Sequence, residues 1–394
     1  MKRKSWAVMW TAYLAGVAVA INQFKVPPVM QVLMENLHVD MTTAGWLMSV
    51  FSVAGVILAL PAALLLARLG PKVSGLIGLG CTILGSIMGA LAQGPGAMLA
   101  GRTIEGIGLA LIAVVAPAVI SMWFEPQERG LPMGIWSTWV PVGTSLMYNL
   151  ANPMEKLWGW TSIWWFGTAF ALIAFIVYSA VVTLPNRVEK KGGAQDNVSP
   201  PLGSGLKNAN TWLLALSFAG FSFSFIGYAT WAPLFLNQVH NMEPAAASFY
   251  ASLMTLIYIP GGIIAGWVLD RTKNRKGVLA GALVIGAVLL LWAFRVGGSI
   301  SYMVMYFIIL GLVAGFIPTS TFTLAPETVP DPRLAGVALA TLIMGQNAGT
   351  LLGPPLIGRA VAGEGWVGGT YPMVIGIIVA LVATVLLRTG TVNK

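Results

Sequence analysis

Apolar residues run in long blocks along the chain, each ended by a short polar or charged stretch. A helix rising 1.5 Å per residue needs about 20 mostly apolar positions to cross a bilayer. On that template the blocks predict helical spans near 6–34, 43–66, 73–92, 97–124, 130–151 and 161–184. A second set follows near 210–236, 246–268, 278–295, 301–323, 336–358 and 371–388. One long polar stretch, Asn186 to Asn208, is rich in Lys, Gly, Ser and Pro. It cannot bury enough surface to fold and reads as a linker. The pattern therefore predicts an all-α membrane protein of twelve transmembrane helices: a six-helix bundle over 1–185, a cytoplasmic linker over 186–208 and a second bundle over 209–394.

Composition agrees with this reading. Apolar residues make up 57% of the chain and charged residues 9%, where a soluble domain carries about 25% charged. The 46 glycines suit close helix contact in lipid. The net charge of +9 does not point to nucleic acid, because the basic residues sit in short loops rather than in a patch interleaved with aromatics. Cys81 is the single cysteine, which excludes a disulfide or thiolate cluster within one chain. The start, Met1 to Lys4 before a long apolar run, has no clear small-residue cleavage pattern and reads as a retained first helix.

Charge placement gives an orientation. With a cytoplasmic N-terminus, seventeen of the 22 Lys and Arg residues fall on the inside, as the positive-inside rule requires. Both termini are then cytoplasmic, in a bacterial-type inner membrane. The halves also repeat: His38 and His240 follow the first span of each half, and Arg68 and Arg271 the second. Gly106 and Gly108 correspond to Gly311, and Arg129-Gly130 loosely to Arg333-Leu334. Parallel six-helix repeats are an architecture in which solute binds between the halves near mid-membrane.

At these residues the sequence resembles the major facilitator superfamily over its whole length. Gly266-Trp267-Val268-Leu269-Asp270-Arg271, followed by Lys273, Arg275 and Lys276, is similar to that family's cytoplasmic loop motif. The resemblance implies a latch made by Gly266, Asp270 and Arg271, with Arg68 in the first-half copy. That copy has Ala67 where the acid is expected, so the second copy is the stronger latch. Arg102-Thr103-Ile104-Glu105-Gly106-Ile107-Gly108 resembles the fourth-helix pattern, and Pro126-Gln127-Glu128-Arg129-Gly130 the entry to the fifth. Pro141-Val142-Gly143-Thr144 departs from the antiporter pattern of that helix. Within the superfamily, Asn22-Gln23-Phe24-Lys25-Val26-Pro27-Pro28, Thr230-Trp231-Ala232-Pro233 and Met344-Gly345-Gln346-Asn347 resemble the cyanate and nitroimidazole transporter group.

Ionisable residues within spans carry the candidate chemistry, since each is costly there unless paired or hydrated. Lys25 lies late in the first span. It reads either as a lysine reaching the outer interface or as an inward-facing cation for an anionic solute. Arg102 and Glu105 are three apart on one face. They form either a neutralised structural pair or a proton-coupling unit in which Glu105 exchanges the proton. Asn22, Trp139, Tyr228, Trp231, Tyr258, Gln346 and Asn347 could complete a pocket with Lys25 and Arg102. Any single aromatic among them is more often packing.

The sequence therefore leads to a secondary transporter moving a small, anionic solute by alternating access, with a proton as co-substrate. Export of a lipophilic or cationic compound and a non-transporting solute receptor are the alternatives. No Walker loop, Ser-His-Asp set, HExxH or paired Cys motif occurs, so no enzyme activity, cofactor, metal or nucleic-acid partner is expected. The expected state is a monomer surrounded by lipid.

Overall fold

The computed structural model describes residues 2–58, 61–125, 128–183, 207–329 and 334–388, apart from the side chains of Lys2, Ala63 and Ala67. Almost all of the expected linker lies outside the described residues, as do Pro126, Gln127, Arg187, Lys190, Lys191, Arg333 and Lys394.

Twelve spans form two six-span halves. The first span is α1 (Lys2–Phe24), a 3-10 turn (Pro27–Val29) and α2 (Met30–Leu37). Pro27 and Pro28 lack the N–H groups that would continue the α1 ladder, so the helix stops and turns there. The second span is α3 (Met41–Ser49) and α4 (Phe51–Leu58), bent by 45° between them. Asp40 caps α3 by accepting from the Thr43 N–H at 2.8 Å, and its hydrogen bonds from Thr43 hold its carboxyl below the usual range. In α5 (Pro61–Ala90), Gly70 takes φ 74°; this left-handed break divides the end of the second span from the third. The half closes with α6 (Pro95–Trp123), α7 (Gly130–Trp136) leading into α8 (Trp139–Trp158), and α9 (Thr161–Val181).

The second half comprises α10 (Ala209–His240), α11 (Pro244–Arg271), α12 (Arg275–Leu291), α13 (Ile300–Leu324), α14 (Ala335–Gly368) and α15 (Thr370–Leu386). Among the described residues, eight helices are long and apolar enough to cross a membrane by themselves, or nine with α3–α4 taken as one span. The other spans fall short for physical reasons. Asn149, Asn152, Glu155 and Lys156 make α8 too polar, while α12 and α15 are only 17 residues long. Large apolar side chains such as Ile57, Leu84, Ile176, Ile263 and Ile375 are exposed, as a lipid-facing surface requires.

The repeat read from the sequence is present in the packing. Gly106 of α6 lies against the backbone of Phe51, and Gly311 of α13 against that of Met254 on α11. Both are fourth-to-second-span contacts within a half, made close by the missing Cβ. Each half's first span also ends in a left-handed residue, His38 or Asn241, both at φ 52°.

Among the described residues, the hydrogen bonds between the halves run from one end of the spans to about their middle. There α8 meets α11: Asn152 Nδ2 donates to Ser248 Oγ at 2.8 Å and to Pro244 O at 3.2 Å. Asn149 Nδ2 reaches Ser252 Oγ, and the Ser145 and Thr255 hydroxyls pair, both at 3.4 Å. Tyr148 Oη donates to Ala229 O at 2.7 Å. Across the molecule, α3–α4 packs on α14. A Cβ on Gly45 would lie 2.5 Å from Pro355 Cα and 2.6 Å from Pro354 O. Gly358 lies between Met41 and Trp231. Gly45→Leu is therefore expected to hold this end apart while both halves stay folded. Spin-label distances between α3 and α14 should lengthen with unchanged helicity by circular dichroism; an unchanged distance would refute the close-packed seam.

Candidate functional site: a buried ion cluster behind a polar seam

The break in α1 creates the site. Pro27 cannot donate to the carbonyl of Gln23 four residues before it, which leaves that oxygen in need of a donor. Arg102, seven residues into α6, supplies it: Nη2 donates to Gln23 O at 2.8 Å and Nη1 to Asn22 O at 2.5 Å. Its Nε donates to Leu47 O at 2.9 Å, one turn before Phe51 and beside the α3–α4 bend. The guanidinium also lies 4.6 Å from the centre of the Phe51 ring. One side chain thus ties the end of α1 to the bend of the second span.

Glu105 joins the two cations. Its Oε2 accepts from Arg102 Nη1 at 2.6 Å and its Oε1 from Lys25 Nζ at 2.6 Å. The ammonium uses its other two protons on Asn22 Oδ1 and Ser86 Oγ, both at 2.9 Å, and sits 4.8 Å from the Trp164 ring centre. Asn22 Nδ2 donates to Ala18 O and Gly167 O, while Ser86 donates to Trp164 O. Lys25, Arg102 and Glu105 are all 0% exposed. Two cations and one carboxylate leave the cluster with a formal charge of +1. Such a cluster is tolerable in a dry interior only because nearly every donor has an acceptor.

The structure therefore brings four of the sequence candidates together: Asn22, Lys25, Arg102 and Glu105. Lys25 does not reach an outer interface, because Asn22, Ser86 and Glu105 hold its ammonium inside the half. The remaining candidates lie elsewhere. Trp139 is nearly buried, stacked on Trp136 at 5.3 Å. The Tyr228 hydroxyl donates to Ala293 O, and its ring packs among Phe294, Tyr306 and Phe307. Trp231 Nε1 donates to Pro354 O at 2.9 Å, bracing the part of α14 that faces Gly45. Tyr258 is half-buried beside Phe225. Gln346 and Asn347 are half-buried on α14; Asn347 donates to Ile343 O and its amide faces Gly55 of the other half.

The latch residues are spread over a surface. Arg68 and Asp270 are exposed and make no hydrogen bond or ion pair with other described residues. Gly266 borders open space, and the Arg271 guanidinium lies over Trp267 at 4.1 Å. The basic residues that follow are the ones engaged. Arg275 pairs with Glu327, while Lys276 donates to the carbonyls of Val385 and Leu387 at 2.7 Å.

Sequence reasoning missed the polar seam: Ser145, Asn149 and Asn152 on α8 with Ser248, Ser252 and Thr255 on α11. The signal was available, since both sets recur at three- and four-residue spacing and so fill one helix face. It also missed Ser49 and Ser52, whose buried hydroxyls have no partner. Each such hydroxyl costs about 1–3 kcal/mol.

A bundle of two pseudo-repeated six-span halves, joined along α8 and α11, with a buried ion cluster inside the first half, defines a helical membrane protein of the two-half carrier type. The chain belongs to the Major Facilitator Superfamily, whose profile it matches over residues 12–340 and again over 240–393. It is 26% identical over 287 residues to the "Probable L-galactonate transporter" of Escherichia coli strain K12, covering 68% of this chain and 62% of that one. It is 27% identical over 288 residues to the "Glycerol-3-phosphate transporter" of Bacillus subtilis strain 168, covering 66% and 64%. These matches thus span less than two thirds of either relative. The "Tetracenomycin C resistance and export protein" of Streptomyces glaucescens is 21% identical over 94% of this chain and 78% of its own length. In fold, the chain is similar to an inward-facing, unoccupied bacterial homologue of the human lysosomal transporter Spinster. That similarity has a TM-score of 0.76 and 18% identity, covering 98% of this chain and 96% of the other.

Removing the shared carboxylate leaves two buried cations facing each other. Glu105→Gln is expected to destabilise the protein by about 3–5 kcal/mol, read as a lowered thermal midpoint in detergent. Lys25→Met in the same chain should recover much of the loss, because Arg102 keeps its three carbonyl acceptors. A double variant no more stable than Glu105→Gln alone would refute this view of the cluster.

Proposed function

We propose that this chain is a secondary transporter that carries a small anionic solute across a cytoplasmic membrane by alternating access, acting as a monomer among lipids. The observation that carries the reading is the one-ended junction of the halves. Four neutral side-chain contacts from α8, with close packing of α3–α4 on α14, close one end. Hydrogen bonds between membrane helices average about 0.6 kcal/mol, so a seam of this kind can part at modest cost. With the orientation taken from the charge pattern, the closed end is extracytoplasmic and the structure faces inward. The exposed Asp270 and Arg271 are then a latch left open, to close when the cytoplasmic ends meet.

Three features support an anionic solute. The buried cluster carries an excess positive charge, and two relatives are named for the transport of L-galactonate and of glycerol-3-phosphate. The resemblance around Asn22–Pro28 to the cyanate and nitroimidazole group points the same way. Asn22, Lys25 and Arg102 then act on the solute through their field, with Trp231, Tyr258, Gln346 and Asn347 toward the path between the halves and Trp139 and Tyr228 packed behind it.

A proton enters the same proposal at Glu105, the one fully buried carboxylate among the described residues. Protonating it would dissolve two ion pairs together, so proton binding and rearrangement of the first span become one event.

Export of a cationic or lipophilic compound is the second reading. A 230 Å³ cavity at the closed end is lined by Pro27, Pro28, Leu234, Glu35 and Glu155 among others, and a further relative is named for tetracenomycin C export.

Counterflow in proteoliposomes tests both. Vesicles loaded with L-galactonate, glycerol 3-phosphate or cyanate should exchange the labelled anion, and vesicles loaded with organic cations should not; the reverse result would replace the anion reading with export. An inward proton gradient should drive accumulation that a protonophore abolishes. Accumulation indifferent to the gradient would remove Glu105 from coupling.

A further inference from the structure

The second span of each half carries the same pair of hydroxyl positions. Ser49 and Ser52 lie eight and eleven residues beyond Met41, the first residue of α3; Ser252 and Thr255 lie eight and eleven beyond Pro244, the first of α11. On α11 these hydroxyls are zipped to Asn149 and Ser145 of the other half. On the second span they are not. Ser49 and Ser52 are 0% and 1% exposed, and neither oxygen has a partner.

Helix geometry places both on the seam. Gly45 faces Pro354 and Pro355 of α14, and Gly55 faces Asn347 of the same helix. Ser49 is one turn from Gly45 and Ser52 one turn from Gly55, so all four share the stripe toward α14. Opposite Gly45, α14 presents Pro354 and Pro355, which have no N–H to offer, and Pro354 O already accepts from Trp231. Directly behind the bend sits the positive cluster, through Arg102 on Leu47 O and over the Phe51 ring.

We propose that Ser49 and Ser52 form a hydrogen-bonding seat for the oxygen atoms of the anionic solute, uncovered when the bent second span parts from α14. In the closed end the hydroxyls are dry and unmatched. Once the seam opens they face the path as two adjacent donors with a positive field behind them. Hydroxyl donors backed by a buried cation suit a carboxylate or phosphate and disfavour an ammonium group. The proposal rests on the alternating-access reading and narrows its solute to an oxyanion.

The test uses the full chain with Cys81→Ser and a single cysteine introduced as Ser49→Cys or Ser52→Cys, reconstituted in vesicles. Rates of labelling by an anionic sulfonatoethyl and a cationic trimethylammonioethyl methanethiosulfonate are compared with those of a free thiol. The expected result is labelling at both positions, with the anionic-to-cationic rate ratio raised several-fold over the free thiol. No labelling in protein that performs counterflow, or a ratio equal to the free thiol's, would overturn the seat.

A second arm uses Ser49→Ala with Ser52→Ala, measuring the KM for whichever anion exchanges. The KM should rise about tenfold for loss of the charge-assisted bonds. A merely structural pair would instead give a raised thermal midpoint with an unchanged KM, and that outcome rejects the proposal. If no anion exchanges at all, the transport reading fails by itself, while the reagent ratio still judges the seat.

Discussion

The guanidinium of Arg102 holds the closed end of the first half together. A proline-terminated helix leaves carbonyls without donors, and inside a membrane no water is at hand to satisfy them. Arg102 meets the oxygens of Asn22 and Gln23 on one side and of Leu47 on the other. The break in the first span and the bend in the second are therefore settled by one group. Placing a cation so deep demands a counter-charge, which Glu105 provides. Lys25 then turns the pair into a triad, with each of its three protons used. Each member makes the next necessary, and the half acquires a rigid corner from groups that would be intolerable singly.

The two halves, alike in sequence pattern, are nonetheless joined by unlike seams. Second spans in both halves present hydroxyls at the same positions. Against α8 the hydroxyls of α11 find asparagine and serine, and a polar zipper results. On the stripe toward α14 the hydroxyls of Ser49 and Ser52 stay unpaired. Pseudo-symmetry fixes where polar groups lie; the sequence of the facing helix decides whether they are satisfied.

Much of this architecture was legible from the apolar blocks and the charge pattern. The twelve spans were readable because the chain stays largely apolar through each crossing even where a helix breaks or bends, and the repeat because His38, Arg68 and Gly106 recur as His240, Arg271 and Gly311. The grouping of Arg102 with Glu105 followed from their spacing. Lys25 could not be placed, because eighty residues of chain separate it from Glu105 and only packing brings them together. Pro27 did contain the missing clue: an acceptor at Gln23 with no backbone donor must be met from elsewhere. The aromatic candidates were the least legible, since a ring in a span gives no sign of whether it faces the path or, like Tyr228, fills the interior of one half. The seam was hidden for a related reason. Serine and threonine are common in membrane helices, and their meaning depends on the helix opposite.

The distribution of strong and weak contacts then has a mechanical consequence. Charged contacts among the described residues stay within a half: the Lys25–Glu105–Arg102 triad in the first and the Arg275–Glu327 pair in the second. Among the described residues, the hydrogen bonds between the halves join neutral hydroxyls, amides and backbone oxygens, with glycine and proline surfaces packed beside them. Breaking the triad would expose buried charge and cost several kcal/mol, whereas parting the seam trades weak hydrogen bonds for hydration. On the proposed alternating-access reading, motion falls at the boundary between the halves for as long as Glu105 keeps its charge. On the proposed reading, a positive field held within one half and uncovered as the halves part would let one buried cluster act on a passing anion without touching it.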